Sequence, residues 1–185
     1  AGTNEWVTIP SPPVAIMRNA ICRLNDGTFF LGGGQETGGG VNGRWWIYDP
    51  TAQTYTERAT SPAGAEFAKS CAAIGDVVVA DGGVDNDIYE YSRSGNSWSI
   101  PGPLINDVQS MVVVGSLVYM LLDIGQLYSY NPATNTATAL DTGVDATTSC
   151  RLVAESATHL IAFTVVGGVA RTWRYTIATD SWDTG

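Results

Sequence analysis

The sequence predicts an all-β chain built from four copies of a four-stranded meander. Three observations predict it. Apolar runs are short and rich in β-branched and aromatic residues, as in Val77 to Ala80, Leu117 to Leu122 and Leu160 to Val166, and each is bounded by Gly, Asp, Asn or Ser. No long stretch keeps apolar residues at i, i+3, i+4 and i+7, the spacing an amphipathic helix needs. A tyrosine recurs at positions 48, 91, 130 and 175, each inside a segment that aligns with the others over ten residues.

The elements follow in order. In the first copy, Ile21 to Leu24 and Thr28 to Leu31 flank the turn Asp26-Gly27. A glycine-rich loop then leads to Trp46-Ile-Tyr48 and, after a turn, to Tyr55. The second copy repeats this with Ser70 to Gly83, then Tyr89-Glu-Tyr91 and Trp98. The third runs from Ser110 to Gly125, then Tyr128-Ser-Tyr130, with Ala137 where the others have an aromatic residue. The fourth spans Ser149-Cys150 to Gly167-Gly168, then Trp173-Arg-Tyr175 and Trp182. Each copy reads as strand, tight turn, strand ending in glycines, loop, aromatic strand, turn and final strand. The expected boundaries are 14–63, 64–103, 104–143 and 144–185, with 1–13 as a spare outer strand, because Asn4-Glu-Trp6 matches Asn96-Ser-Trp98. One domain of 185 residues is long enough to bury a core of its own.

This succession resembles the kelch family of β-propellers over essentially the whole chain. By that resemblance Gly33-Gly34, Gly82-Gly83 and Gly167-Gly168 fill the family's glycine pair. Tyr48, Tyr91, Tyr130 and Tyr175 fill its tyrosine, and Trp98 and Trp182 its tryptophan, with Tyr55 standing in. The third copy departs, having only Gly125 and Ala137. All these positions are expected to be structural: blades stack face to face and the aromatics fill the space between them. Four blades are few for the family. The chain is expected to be part of a longer propeller, to close as a small one, or to lend its strand at 5–10 to another copy.

Composition narrows the partners. Eighteen acidic groups against nine basic ones give a net charge of -9, with eight arginines, the single lysine Lys69 and no basic cluster. Nucleic acid and anionic membranes are therefore not expected partners. No apolar run approaches a bilayer span, and the N-terminus has no signal-peptide pattern. Richness in Thr, Ser, Ala and Gly, scarce lysine and acidity lean toward an extracellular, cell-surface or virion setting over a cytoplasmic one.

Chemistry has few footholds. His159 is the only histidine and reads as an exposed turn residue. Copper oxidases on similar propellers need two histidines and a tyrosine, so that activity is not expected. No cofactor is expected. Cys22, Cys71 and Cys150 align with Met111 as one apolar core position. Asp81, Asp85 and Asp87 put three carboxylates on one loop, a weak Ca²⁺ candidate better read as a solvated acidic loop.

In kelch domains the loop after the glycine pair, and the residues leading into the first strand, line the face that meets partners. The resemblance thus implies binding residues Gln35, Glu36, Asp85, Asp123 and Gln126, with Arg18 and Lys69 ahead of first strands. The expectation is a non-enzymatic binding or assembly module that contacts protein, copies of itself included, or glycan. The alternatives are an intracellular kelch domain holding a peptide on its loop face and a carbohydrate-active propeller enzyme.

Overall fold

The computed structural model describes residues 8–17, 19–36, 40, 42–62, 70–82, 87–103, 108–144 and 150–184. Every regular element among them is a strand, and four antiparallel sheets of four strands account for nearly all of it. The first sheet joins β2 (Ala20–Arg23), β3 (Phe29–Gly32), β5 (Trp45–Asp49) and β6 (Thr54–Glu57). A two-stranded ribbon of β1 (Ile16–Met17) and β4 (Gln35–Glu36) stands beside it. The second sheet holds β7 (Cys71–Ile74), β8 (Val77–Asp81), β9 (Asp87–Ser92) and β10 (Ser97–Pro103). The third holds β11 (Val108–Val114), β12 (Leu117–Leu122), β13 (Leu127–Asn131) and β14 (Thr136–Ala139). The fourth holds β15 (Cys150–Ala154), β16 (His159–Val166), β17 (Val169–Thr176) and β18 (Ser181–Thr184).

Every sheet is a meander, with sequential strands as neighbours. The repeat tyrosine is paired in register with the residue seven positions on. Tyr48 opposes Tyr55, Tyr91 opposes Trp98, Tyr130 opposes Ala137 and Tyr175 opposes Trp182. The spacing of seven is therefore a hairpin register. In three of the four sheets the two rings pack together, at 4.7, 5.2 and 5.0 Å between centroids.

Sheets stack face to face in chain order. The contacts run from β2 to β7, from β7 to β11 and from β11 to β15, so the first strand of each sheet is the innermost one. Three apolar clusters fill the interfaces. Phe30, Trp45 and Ile47 of the first sheet meet Cys71, Val78, Ala80 and Tyr91 of the second. Ala72, Val79 and Ile88 meet Met111, Val118, Met120 and Tyr130. Tyr119, Leu121 and Leu127 meet Leu152, Leu160, Ala162 and Tyr175. Because strand side chains alternate between faces, each of the two middle sheets gives one face to the sheet before it and the other to the sheet after it. At the rim between the first two sheets, Arg93 bonds Asp26 across their turns. Thr28 and Arg93 together hold the Asp26 carboxyl down at about 2.

Register corrects two sequence alignments. The residues paired with the repeat tyrosine are Phe29, Val78, Val118 and Leu160. The fourth position beyond each is Gly33, Gly82, Leu122 and Thr164. Gly125 and Gly167-Gly168 lie farther along, and do another job. Gly167 and Gly168 take φ of 57° and 81° at the open tip of the β16–β17 hairpin, a two-residue turn that demands left-handed backbone at both positions. Gly82 instead lies where an added Cβ would come within 2.6 Å of the Tyr89 ring. Gly83 lies outside the described residues.

The cysteines likewise do not share one column. Counting from the same pairs, Ile21, Cys71, Met111 and Leu152 are equivalent. Cys22 stands one residue away on the opposite face, and Cys150 stands two residues farther along its face. Cys22 and Cys71 consequently meet across the interface between the first two sheets, both as free thiols. Ungapped alignment is blind to this, because a shift of one residue reverses the face.

Candidate binding site

A meander puts its second-to-third connection at one end of the sheet and its other two turns at the opposite end. The connections β3–β5, β8–β9, β12–β13 and β16–β17 thus share one end of the stack, and the loop residues expected to bind partners lie there or beside it. Arg18, Lys69 and Asp85 fall outside the described residues. Gln35 and Glu36 form β4, opposite Met17 and Ile16. Buried Asn42 anchors their loop: its amide donates to the Gly33 carbonyl at 3.3 Å and its carbonyl oxygen accepts from Arg44 N–H at 3.1 Å.

Asp123 and Gln126 sit in the β12–β13 turn. Gln126 is committed internally, donating to the carbonyls of Leu127 and Leu140. Asp123 is half-buried, with carboxylate oxygen Oδ1 shut away from solvent and lacking a hydrogen-bond partner among the described residues. Glu36 and Asp123, together with Asp87 at the start of β9, are thus described carboxylates of this end that are only partly buried.

The acidic loop differs from expectation. Asp81 is no solvated loop residue: it closes β8 opposite Ile88, is 2% exposed, and its N–H donates to the Ser70 carbonyl. Asp87 opens β9, half-buried, and its carbonyl accepts from Gly82 N–H at 2.8 Å. The strands run one residue farther into the loop than the glycines suggest. Among the described residues no group of three His, Cys, Asp or Glu side chains is placed to hold a metal ion.

His159 starts β16 at the opposite end of the fourth sheet, with Nδ1 2.9 Å from the Thr158 hydroxyl. Burial pushes the Cys71 thiol well up and the Cys150 thiol to about 11, so both are held as unreactive thiols at neutral pH.

The sheets are tied together at the end opposite these loops by a latch that the sequence pattern contained but did not announce. Five residues after three of the repeat tyrosines come Asn96, Asn135 and Asp180, and each takes a positive φ, between 46° and 53°. Asn and Asp tolerate that region better than other side chains. Tyr91 donates to Asn96 at 2.7 Å and Tyr175 to Asp180 at 2.6 Å. The same side-chain oxygens accept N–H groups of the preceding sheet, from Ala59 onto Asn96 and from Asp141 onto Asp180. Trp98 and Trp182 complete the grip by donating indole N–H to the carbonyls of those two residues, at 2.8 and 3.3 Å. The third sheet cannot do this, since Ala137 replaces the tryptophan. Its Tyr130 donates instead to the Glu90 carboxylate at 2.7 Å.

The latches carry a pH signature. Burial, and then the carboxylates of Glu90 and Asp180, raise Tyr130 and Tyr175 far above the usual phenol value, and burial raises Tyr91 and Tyr119. A group whose folded value is raised stabilises fully below its unfolded value, about 10 for tyrosine, and that stability drains away as pH rises beyond it. Urea midpoints are therefore expected to hold steady from neutrality to about pH 8.5, to decline above it as the buried Cys71 and Cys150 thiols resist ionisation, and to fall more steeply above about pH 10. Phenolate absorbance should appear together with unfolding. Early ionisation of all eight tyrosines in the folded chain would contradict the latch.

Four four-stranded meander sheets, stacked through their faces with the first strands innermost, define a protein with a β-propeller-like arrangement. Comparison with solved structures agrees. The structure of YjhT superposes with a TM-score of 0.70 at 13% sequence identity, covering 96% of this chain and 67% of that one. At that identity the likeness is one of fold. No protein-family model and no curated protein matches the chain.

Proposed function

We propose that the chain is a kelch-like, non-enzymatic binding and assembly module that contacts protein or glycan through the loop end of its sheets. One observation carries this reading: interlocking latches stiffen the blades, while the connections at one end present carboxylates that the fold does not use. Glu36, Asp87 and Asp123 are described members of that surface. The alternative roles for reactive groups find less support, since the Cys71 and Cys150 thiols are buried and His159 points its Nδ1 at a neighbouring hydroxyl at the other end. The acidic surface favours a ligand that offers hydrogen-bond donors or positive charge.

The test is screening of the purified chain against an immobilised glycan panel and a displayed peptide library. A binder from either should be lost, by tenfold or more in Kd, in the Glu36→Lys, Asp123→Lys double variant with circular dichroism unchanged. A binder indifferent to both substitutions would remove the loop end as the contact surface. Turnover of a glycan on the panel would replace the reading with an enzymatic one.

A further inference from the structure

The same two inner-strand positions recur at every interface of the stack. Cys22 and Cys71 hold them between the first and second sheets. In register, Ala72 and Met111 hold them between the second and third, and Val112 and Leu152 between the third and fourth. At each interface both residues belong to the apolar filling. Only the first interface places a thiol on both sides.

The two thiols do more than share a cluster. They hydrogen-bond to each other across the gap between β2 and β7, and both are free. Their access to solvent differs: Cys71 is 6% exposed, whereas Cys22 is only half-buried. One sulfur can therefore be reached by a small reagent while its partner is shielded behind it. The remaining cysteine, Cys150, lies in the cluster between the third and fourth sheets, away from both. Filling the space does not require sulfur, since Ala72 with Met111 and Val112 with Leu152 fill the equivalent places without a thiol.

We propose that Cys22 and Cys71 are an oxidisable pair, in which a peroxide converts the two thiols into a disulfide that clamps the first sheet to the second. Cys22, the accessible sulfur, reacts first. It takes one oxygen as the O–O bond of hydrogen peroxide breaks, giving a sulfenic acid and one water. The Cys71 sulfur then bonds to the Cys22 sulfur, the S–O bond breaks, and the hydroxyl leaves with the Cys71 proton as a second water. The two thiols lose two electrons and the peroxide gains them. Burial keeps Cys71 from reagents in solution but not from the sulfur it touches, and that contact makes the second step intramolecular. The bond ties together two sheets that otherwise meet through packed rings and the latch, and it shortens the free chain in the unfolded state. This inference goes beyond the loop-end reading and does not use its residues.

The test is peroxide titration of the fully reduced full-length chain, followed by labelling with N-ethylmaleimide in denaturant and intact-mass spectrometry. The reduced chain carries three thiols and should take up three maleimides. After peroxide it should be lighter by two hydrogens before labelling and take up one maleimide, on Cys150, with the Cys22 and Cys71 peptides joined in a digest. Its urea midpoint should rise and return to the starting value with dithiothreitol. Cys150→Ala should cross-link as the parent does. Cys71→Ala should lose the cross-link and leave a Cys22 sulfenic acid that dimedone captures. Should Cys71→Ala fold poorly, Cys22→Ser serves in its place, and peroxide should then leave both remaining thiols free to label. Three maleimides at every peroxide level, Cys22 driven to the sulfinic acid without a cross-link, a disulfide that includes Cys150, or a cross-linked chain with an unchanged midpoint overturns the proposal. The glycan and peptide screen is run on the reduced chain, so the failure of either reading leaves the other standing.

Discussion

Replacing Phe30 by alanine should lower stability by about 3–5 kcal/mol, the range for emptying a large buried aromatic site. The ring is completely buried at the interface between the first two sheets. It stacks on Trp45 at 4.9 Å and on Tyr91 at 4.7 Å, and Trp98 closes the group at 6.1 Å. Three of these four rings are held by something else: Trp45 and Tyr91 by their strands' interior positions, Trp98 by its bond to Ala59. They cannot collapse into the space Phe30 leaves, so the cavity cost adds to the lost burial. Urea unfolding measures the loss, and near-ultraviolet dichroism should fall with it as the tryptophans lose their fixed packing. A loss below about 1 kcal/mol would mean that the first sheet is not clamped to the second as described.

Gly32→Ala is expected to cost about 1–3 kcal/mol or more, although alanine ordinarily gains over glycine by restricting the unfolded chain. Gly32 ends β3 opposite Trp45, and an added Cβ would lie 2.5 Å from the Arg44 carbonyl oxygen and 2.7 Å from the Trp45 Cα. Both obstacles are backbone, so relief requires moving β5 away from β3 and with it the ring that packs on Phe30. Gly115→Ala is the control. Its φ of 62° faces open space, and its cost is confined to the left-handed conformation, about 1–2 kcal/mol. If Gly32→Ala proves as stable as the parent, the close approach of β3 and β5 is not obligatory.

Much of this architecture is legible in the chain itself. Alternation, turn dipeptides and the tyrosine at 48, 91, 130 and 175 predict sixteen strands in four meanders, and the four sheets of the structure hold sixteen. Hairpin turns and side-chain alternation are local properties, which is why a sequence displays them. The latch was half visible: Asn96, Asn135 and Asp180 stand five residues after their tyrosines in plain view. That they reach back to the preceding sheet depends on where Ala59 and Asp141 lie in space.

The candidate site was less legible, for the same reason. Gln126 looks like a free loop amide until the Leu140 carbonyl is brought beside it. Asp81 looks solvated until β8 is seen to extend through it to pair with Ile88. Cys22, Cys71 and Cys150 look equivalent until their registers assign Cys22 to the opposite face from Cys71.

By itself, then, the sequence determined the strand content, the meander connectivity and the count of four repeats, because each is encoded in contacts a few residues long. Tertiary structure alone decided which faces are covered. Phe163 is as apolar as its counterpart Leu121 in the third sheet, yet it is 49% exposed where Leu121 is fully buried, and pattern cannot tell the two settings apart. Burial depends on whether another sheet packs against a face, a long-range property that no local pattern encodes.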